Sequence, residues 1–139
     1  MKIQLSRIDD EYKLKAINET GEITFVDGSE ALGASQTAFR PMQLLLVSLA
    51  GCSAIDVINI LKKQRQRIDD FHMEVTGDRK EGVPAPFTKI QVHFSLSGKI
   101  KEEKLIKAIE LTEAKYCSVY FSLNPEIEIT FTFDLQFLE

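Results

Sequence analysis

The feature that most constrains what this chain can fold into is one apolar stretch, residues 41–61, with a proline at its start and a basic run after its end. Pro41 suits the first turn of a helix, where its missing N–H leaves nothing unpaired. From Met42 to about Gln66 there is no further proline and one glycine, Gly51. Leu45, Leu46, Leu49, Ala50, Ile55, Val57, Ile58, Ile60 and Leu61 go nearly all the way round a helix, and a helix apolar on all sides is expected to be buried on all sides. The stretch is long enough to span a bilayer. Gln43, Ser48, Ser53, Asp56 and Asn59 interrupt it, however, and a carboxylate at mid-bilayer costs about 3 kcal/mol, so the expectation is the central helix of a soluble protein. Gly51 and Ser53 flank Cys52 and are small, which permits close backbone approach there.

Strand signals surround this helix. Ile3 and Leu5 alternate with polar residues before Asp9-Asp10; Tyr12, Leu14 and Ala16 share one face before Thr20-Gly21; Ile23 and Phe25 follow. Residues 27–39 are small and polar and read as a surface loop of the length that often carries function. After the helix, Phe71, Met73 and Val75, then Ile90, Val92, Phe94 and Leu96, show strand alternation on either side of the connecting loop Gly82–Pro86. Residues 101–115 have helical spacing, Cys117–Leu123 read as a short helix, and Ile127 to Phe137 alternate as one long strand with a wet face.

The 139 residues suit one domain spanning 1–139. Net charge is −4, with both signs interspersed, which argues against nucleic-acid binding. The one basic cluster, Lys62, Lys63, Arg65 and Arg67, falls at the helix end, where cations complement the macrodipole. Met1–Arg7 lacks an apolar signal core, so no signal peptide is expected, and the location expected is cytoplasmic.

Two cysteines in such a chain are core residues, metal ligands or redox groups, not a disulfide framework. Cys52 lies on the apolar helix, where a lone cysteine is most often core. Cys117 opens a helix, where free amides favour a thiolate. Cys52, His72, His93 and Cys117 contain no closely spaced ligand pair, and both histidines point away from the apolar strand faces, so no metal is expected. No cofactor motif is present either.

The run from Arg40 through Pro41, Met42, Gln43, Leu44, Leu45 and Leu46 to Gly51-Cys52-Ser53-Ala54 is similar to the cysteine helix of OsmC-like proteins. It is nearest the branch reading Pro-Met-Glu-Leu-Leu-Leu and then Gly-Gly-Cys. Ala114-Lys115-Tyr116-Cys117-Ser118-Val119 resembles the same family's second cysteine motif, about 65 residues further on. The resemblance covers almost the whole chain. It implies an α+β fold with antiparallel sheets wrapped on a long buried central helix, and an intertwined homodimer. It also implies the chemistry of the OsmC/Ohr proteins: Cys52 attacks an organic hydroperoxide and becomes a sulfenic acid, Cys117 resolves it to a disulfide, and a dithiol, with lipoyl-type dithiols as candidates, reduces that bond. The family's peroxidase branches pair a glutamate with an arginine to activate the thiolate. Here Met42 and Gln43 stand where that glutamate is expected, and Gln43 supplies hydrogen bonds but no charge. Arg40 is the candidate cation, Arg7 a second one, and Glu113 a candidate replacement carboxylate. The departure at Gln43 favours an alternative, a non-catalytic dimeric ligand-binding or stress-related protein of the same fold.

Overall fold

The turn signals of the first third cut it into three short strands. In the computed structural model, which describes residues 1–139, β1 (Gln4–Arg7), β2 (Leu14–Ile17) and β3 (Ile23–Val26) form an antiparallel sheet in that order. The turns are set by side chains. Asp9 Oδ1 accepts the N–H groups of Glu11 and Lys13, and Asn18 Oδ1 accepts those of Thr20 and Glu22, each replacing a backbone partner the turn removes. Ile3, Leu5, Ile23 and Phe25 stay exposed on this sheet.

The loop that follows is more ordered than its composition suggests. Asp27 is buried, and its two carboxylate oxygens accept the Gly28 N–H at 2.8 Å, the Ser35 hydroxyl at 2.6 Å and the Thr37 N–H at 3.3 Å. A single 3-10 turn, Glu30–Leu32, lies inside the loop, and Phe39 returns to pair with Val26. The Ser35 hydrogen bond leads the interactions that hold the Asp27 carboxyl below the usual carboxylate range. A depressed folded-state pKa contributes stability that is present above about pH 4, the unfolded value, and is lost as pH falls through the folded one. Asp27→Asn is therefore expected to lower the urea midpoint at pH 7, with the gap to wild type closing as the pH drops below about 4. A gap independent of pH would show that the charge of Asp27 is not what holds the loop.

The chain divides into two compact units, Met1–Leu45 and Leu46–Glu139. The long helix predicted from the apolar stretch is α1 (Pro41–Lys63). Its burial differs from the all-round burial expected of it. Leu49, Ala50, Ser53, Val57 and Leu61 are buried at the four-residue spacing of one face, whereas Val47 and Ile55 are 47% and 70% exposed. A wheel that is apolar all round tells which side chains avoid water but not what covers each of them, and within this chain one side of α1 is uncovered.

The second sheet is built from β4 (Arg67–Arg79), β5 (Phe87–Lys99) and β6 (Glu128–Phe137). β4 and β5 pair antiparallel, as the loop between them predicts. β6 pairs with β5 in parallel, which departs from the expected antiparallel sheets. The segment between them carries α2 (Glu102–Leu111) and α3 (Ser118–Ser122), long enough to bring the chain back in the same direction, and side-chain alternation carries no information about strand direction. Ile90, Val92, Phe94 and Leu96 of the central strand are buried. His72, at 76% side-chain exposure, lies on the polar face beside Asp70, and His93 bonds Thr132 and Asp134. A row of rings crosses the apolar face: Phe71 meets Phe94 edge-on at 6.0 Å, Phe94 stacks on Phe131 at 6.3 Å, and Tyr120 of α3 reaches Phe131 at 6.1 Å.

Where β4 carries one extra residue between Ile68 and Asp70, the opposing residue is Gly98, at φ +144°. A Cβ there would lie 2.2 Å from the Arg67 carbonyl oxygen. Backbone and sterics both demand glycine, so Gly98→Ala is expected to cost at least about 2 kcal/mol in urea unfolding. A loss below about 0.5 kcal/mol, the range of neutral surface changes, would show that the bulge rearranges freely.

Candidate functional site

Cys117 reaches the site by an irregular piece of backbone. The helical spacing of residues 101–115 predicts one regular helix, but α2 ends at Leu111, and residues Thr112–Tyr116 form a single wider turn. The Cys117 N–H closes it on the Thr112 carbonyl five residues back, at 3.0 Å. Thr112 is itself buried, and its hydroxyl donates to the Ala108 carbonyl at 2.8 Å, so the turn leaves no orphaned group at its start. Wide turns of this kind within helices are frequent at functional sites. The chain then restarts as α3 with Cys117 as its capping residue, the sulfur accepting the Tyr120 N–H at 3.4 Å.

That sulfur faces α1. Ser53 is fully buried, its hydroxyl donates to the Leu49 carbonyl one turn back at 2.8 Å, and its oxygen lies 3.7 Å from Cys117 Sγ. The small side chain at position 53 is what lets the two segments meet. Gly51, the other small neighbour of Cys52, has open space where a Cβ would stand, so it has no such role within the chain.

Cys52 and Cys117 are both free thiols, and their sulfurs lie within 4.8 Å of each other and of a carboxylate oxygen of Asp56. The sequence expectation that the two cysteines lie close to each other is met. Asp56 was missed, although its signal was present: four positions after Cys52 on a helix is the same face, one turn on. Its Oδ2 is buried and has no hydrogen-bond partner, and burial raises its carboxyl above the ordinary aspartate value. As a donor set these three side chains offer two sulfurs and one oxygen, and no other group in the chain brings three such atoms together.

The expectation that a helix start lowers the Cys117 thiol does not hold. Burial pushes it up, and the Tyr120 N–H and the Ser53 hydroxyl offset only part of that. A five-residue helix has little macrodipole to offer, and the sulfur is fully shielded from solvent. Cys52 is partly exposed on α1. Beside the cluster is a cleft of about 280 Å³ lined by Asp56, Asn59, Ile60, Lys63, Gln64, Leu111 and Tyr116. Neither cysteine lines it, and Asp56 belongs to both cluster and cleft.

The remaining candidates fall elsewhere. Arg40 is exposed just before α1, and its N–H donates to Gln43 Oε1 at 3.0 Å, the backward half of a capping box. Arg7 spans its own hairpin turn, donating to the carbonyls of Glu11 and Asp10. Glu113 lies in the wide turn after α2 and is not part of the cysteine cluster.

These positions order the two thiols by accessibility. Iodoacetamide at neutral pH is expected to label Cys52 in the folded protein and Cys117 only after denaturation, as mapped by peptide mass spectrometry. Equal labelling rates would show that Cys117 is not held in the interior.

The same architecture occurs in known proteins. A hypothetical protein from Aquifex aeolicus VF5 superposes with a TM-score of 0.86 at 28% identity, covering 99% of this chain and 97% of that one. An organic hydroperoxide resistance protein from Legionella pneumophila superposes with a TM-score of 0.67 at 14% identity, covering 96% of this chain and 97% of its own, a likeness of fold. Protein YhfA of Escherichia coli K12 is 35% identical over 117 residues, 84% of each chain. The model of the family described as OsmC-like protein matches residues 33–132. The paired cysteine motifs, the α+β fold and these matches agree, and the chain belongs to the OsmC-like protein family.

Proposed function

We propose that this protein reduces organic hydroperoxides with its two cysteines. The observation that carries the reading is the gathering of Cys52 and Cys117 sulfurs, from residues 65 positions apart, within 4.8 Å. Cys52 is the partly exposed thiol and so the one that meets peroxide; Cys117, buried and with its pKa raised, suits the resolving step. The Cys52 sulfur attacks one peroxide oxygen, the O–O bond breaks, and an alcohol departs, leaving a sulfenic acid. The Cys117 sulfur displaces water from it to form the disulfide, and a dithiol then returns two electrons. In this reading Arg40 is the cation proposed for the thiolate, and Gln43 fixes the chain ahead of α1 by accepting the Arg40 backbone N–H. The name of the Legionella pneumophila structural neighbour supports hydroperoxide as the substrate class.

Three further assignments accompany it. The family match runs from residue 33 to 132, across both compact units, which supports one domain over residues 1–139. The uncovered side of α1 and the exposed Ile3, Leu5, Ile23 and Phe25 of the first sheet support a homodimer in which a second copy covers them. A cytoplasmic location fits two unbonded thiols.

With cumene hydroperoxide in slight excess, intact-mass measurement is expected to show each chain losing two hydrogen atoms, and Cys52→Ser to abolish the change. Thiols that remain unmodified at excess peroxide would overturn the reading in favour of a non-catalytic binding protein of the same fold.

A further inference from the structure

Asp56 is an ionisable side chain placed where chemistry happens and left without a partner. It stands one helical turn beyond Cys52, its carboxylate lies within 4.8 Å of both sulfurs, and it forms no ion pair. A buried polar oxygen without a hydrogen bond is costly, so Oδ2 is an unmet acceptor beside two thiol protons. The titratable groups facing Asp56 are Cys52 from its own helix, Cys117 from the start of α3, and, along the cleft, Lys63 and Tyr116; Lys63 makes no ion pair with it. Its other side opens on the cleft, so it links the thiols to solvent.

We propose that Asp56 is the acid–base group of the cysteine pair, taking the proton of each attacking thiol and delivering it to the group that leaves. The proposal rests on the peroxide-reducing reading above. In the first step a bond forms between Cys52 Sγ and the distal peroxide oxygen while the O–O bond breaks. The Cys52 proton passes to Asp56 and from Asp56 to the departing alkoxide, so that an alcohol leaves, the sulfur is oxidised and the peroxide reduced. In the second step Cys117 Sγ bonds to Cys52 Sγ and the S–O bond breaks; Asp56 accepts the Cys117 proton and returns it to the departing hydroxide as water. Asp56 ends each step as the carboxylate it began as. Burial helps, because a carboxyl displaced upward from its ordinary value is a better base near neutral pH.

Two reactions of Cys52 separate this role from a structural one. Peroxide reduction needs a proton delivered to the leaving oxygen; alkylation by iodoacetamide releases iodide and does not. Asp56→Asn, which keeps the shape, is expected to slow cumene-hydroperoxide-driven disulfide formation about 100-fold and to shift its acid limb to higher pH, where a thiol ionises unaided. Alkylation of Cys52, measured in a Cys117→Ser background, is expected to slow by a much smaller factor, because it needs the thiol proton removed but none delivered to the leaving iodide. If Asp56→Asn fails to fold, Asp56→Ala supplies the second measurement, its peroxide rate rising with added formate. A peroxide rate unchanged in Asp56→Asn, both rates falling by the same factor, or no response to formate would overturn the proposal. So would uptake of one zinc ion per reduced chain that is lost with Asp56→Asn, which would make Asp56 a ligand. Inert thiols in the wild-type protein sink the peroxide reading itself, a result distinct from an active wild type whose variant is equally active.

Discussion

The contact on which the site depends is the packing of Tyr120 against Phe131. Cys117 belongs to a five-residue helix that is too short to hold itself. What fixes it is the ring row Phe71–Phe94–Phe131–Tyr120, which ties α3 to all three strands of the second sheet. With Tyr120 anchored, its N–H is aimed at Cys117 Sγ, and the sulfur is directed at Ser53 of α1. The wide turn at Thr112–Tyr116 gives the chain its freedom to reach that position, and the aromatic row removes the freedom again. Because Phe94 belongs to the core, the same rings couple the packing of the sheet to the position of the Cys117 sulfur.

Much of this was readable from residue order, and the failures share a cause. Strand positions, the long helix, the loops and the importance of both cysteines follow from local periodicity and motif, which are properties of neighbours in sequence. Three features were not visible because they depend on partners distant in sequence. The parallel entry of β6 depends on how the segment carrying α2 and α3 crosses the sheet. The one-sided burial of α1 depends on what the chain has available to cover it. The raised pKa of Cys117 depends on the surfaces that enclose it, which outweigh the helix start that the sequence displayed.

Asp56 is a different sort of omission. In the sequence it counted as an interruption of an apolar helix, an argument against a membrane span. Its spacing from Cys52 was there to be read, but spacing alone does not distinguish a surface carboxylate from an enclosed one. Only its unpaired Oδ2, together with a second sulfur arriving from residue 117, gives that carboxylate a chemical setting. Two of the polar interruptions of α1, Ser53 and Asp56, are the residues that meet the second thiol.

The sulfur of Cys117 has two occupations. It caps α3 by accepting the Tyr120 N–H, and it is the atom that a bond to Cys52 would engage. Any movement of that sulfur toward Cys52 has to be reconciled with the Tyr120 N–H that it caps. Cap and redox partner are thus one atom, so the fold of α3 and the state of the thiol pair are tied through Cys117 Sγ.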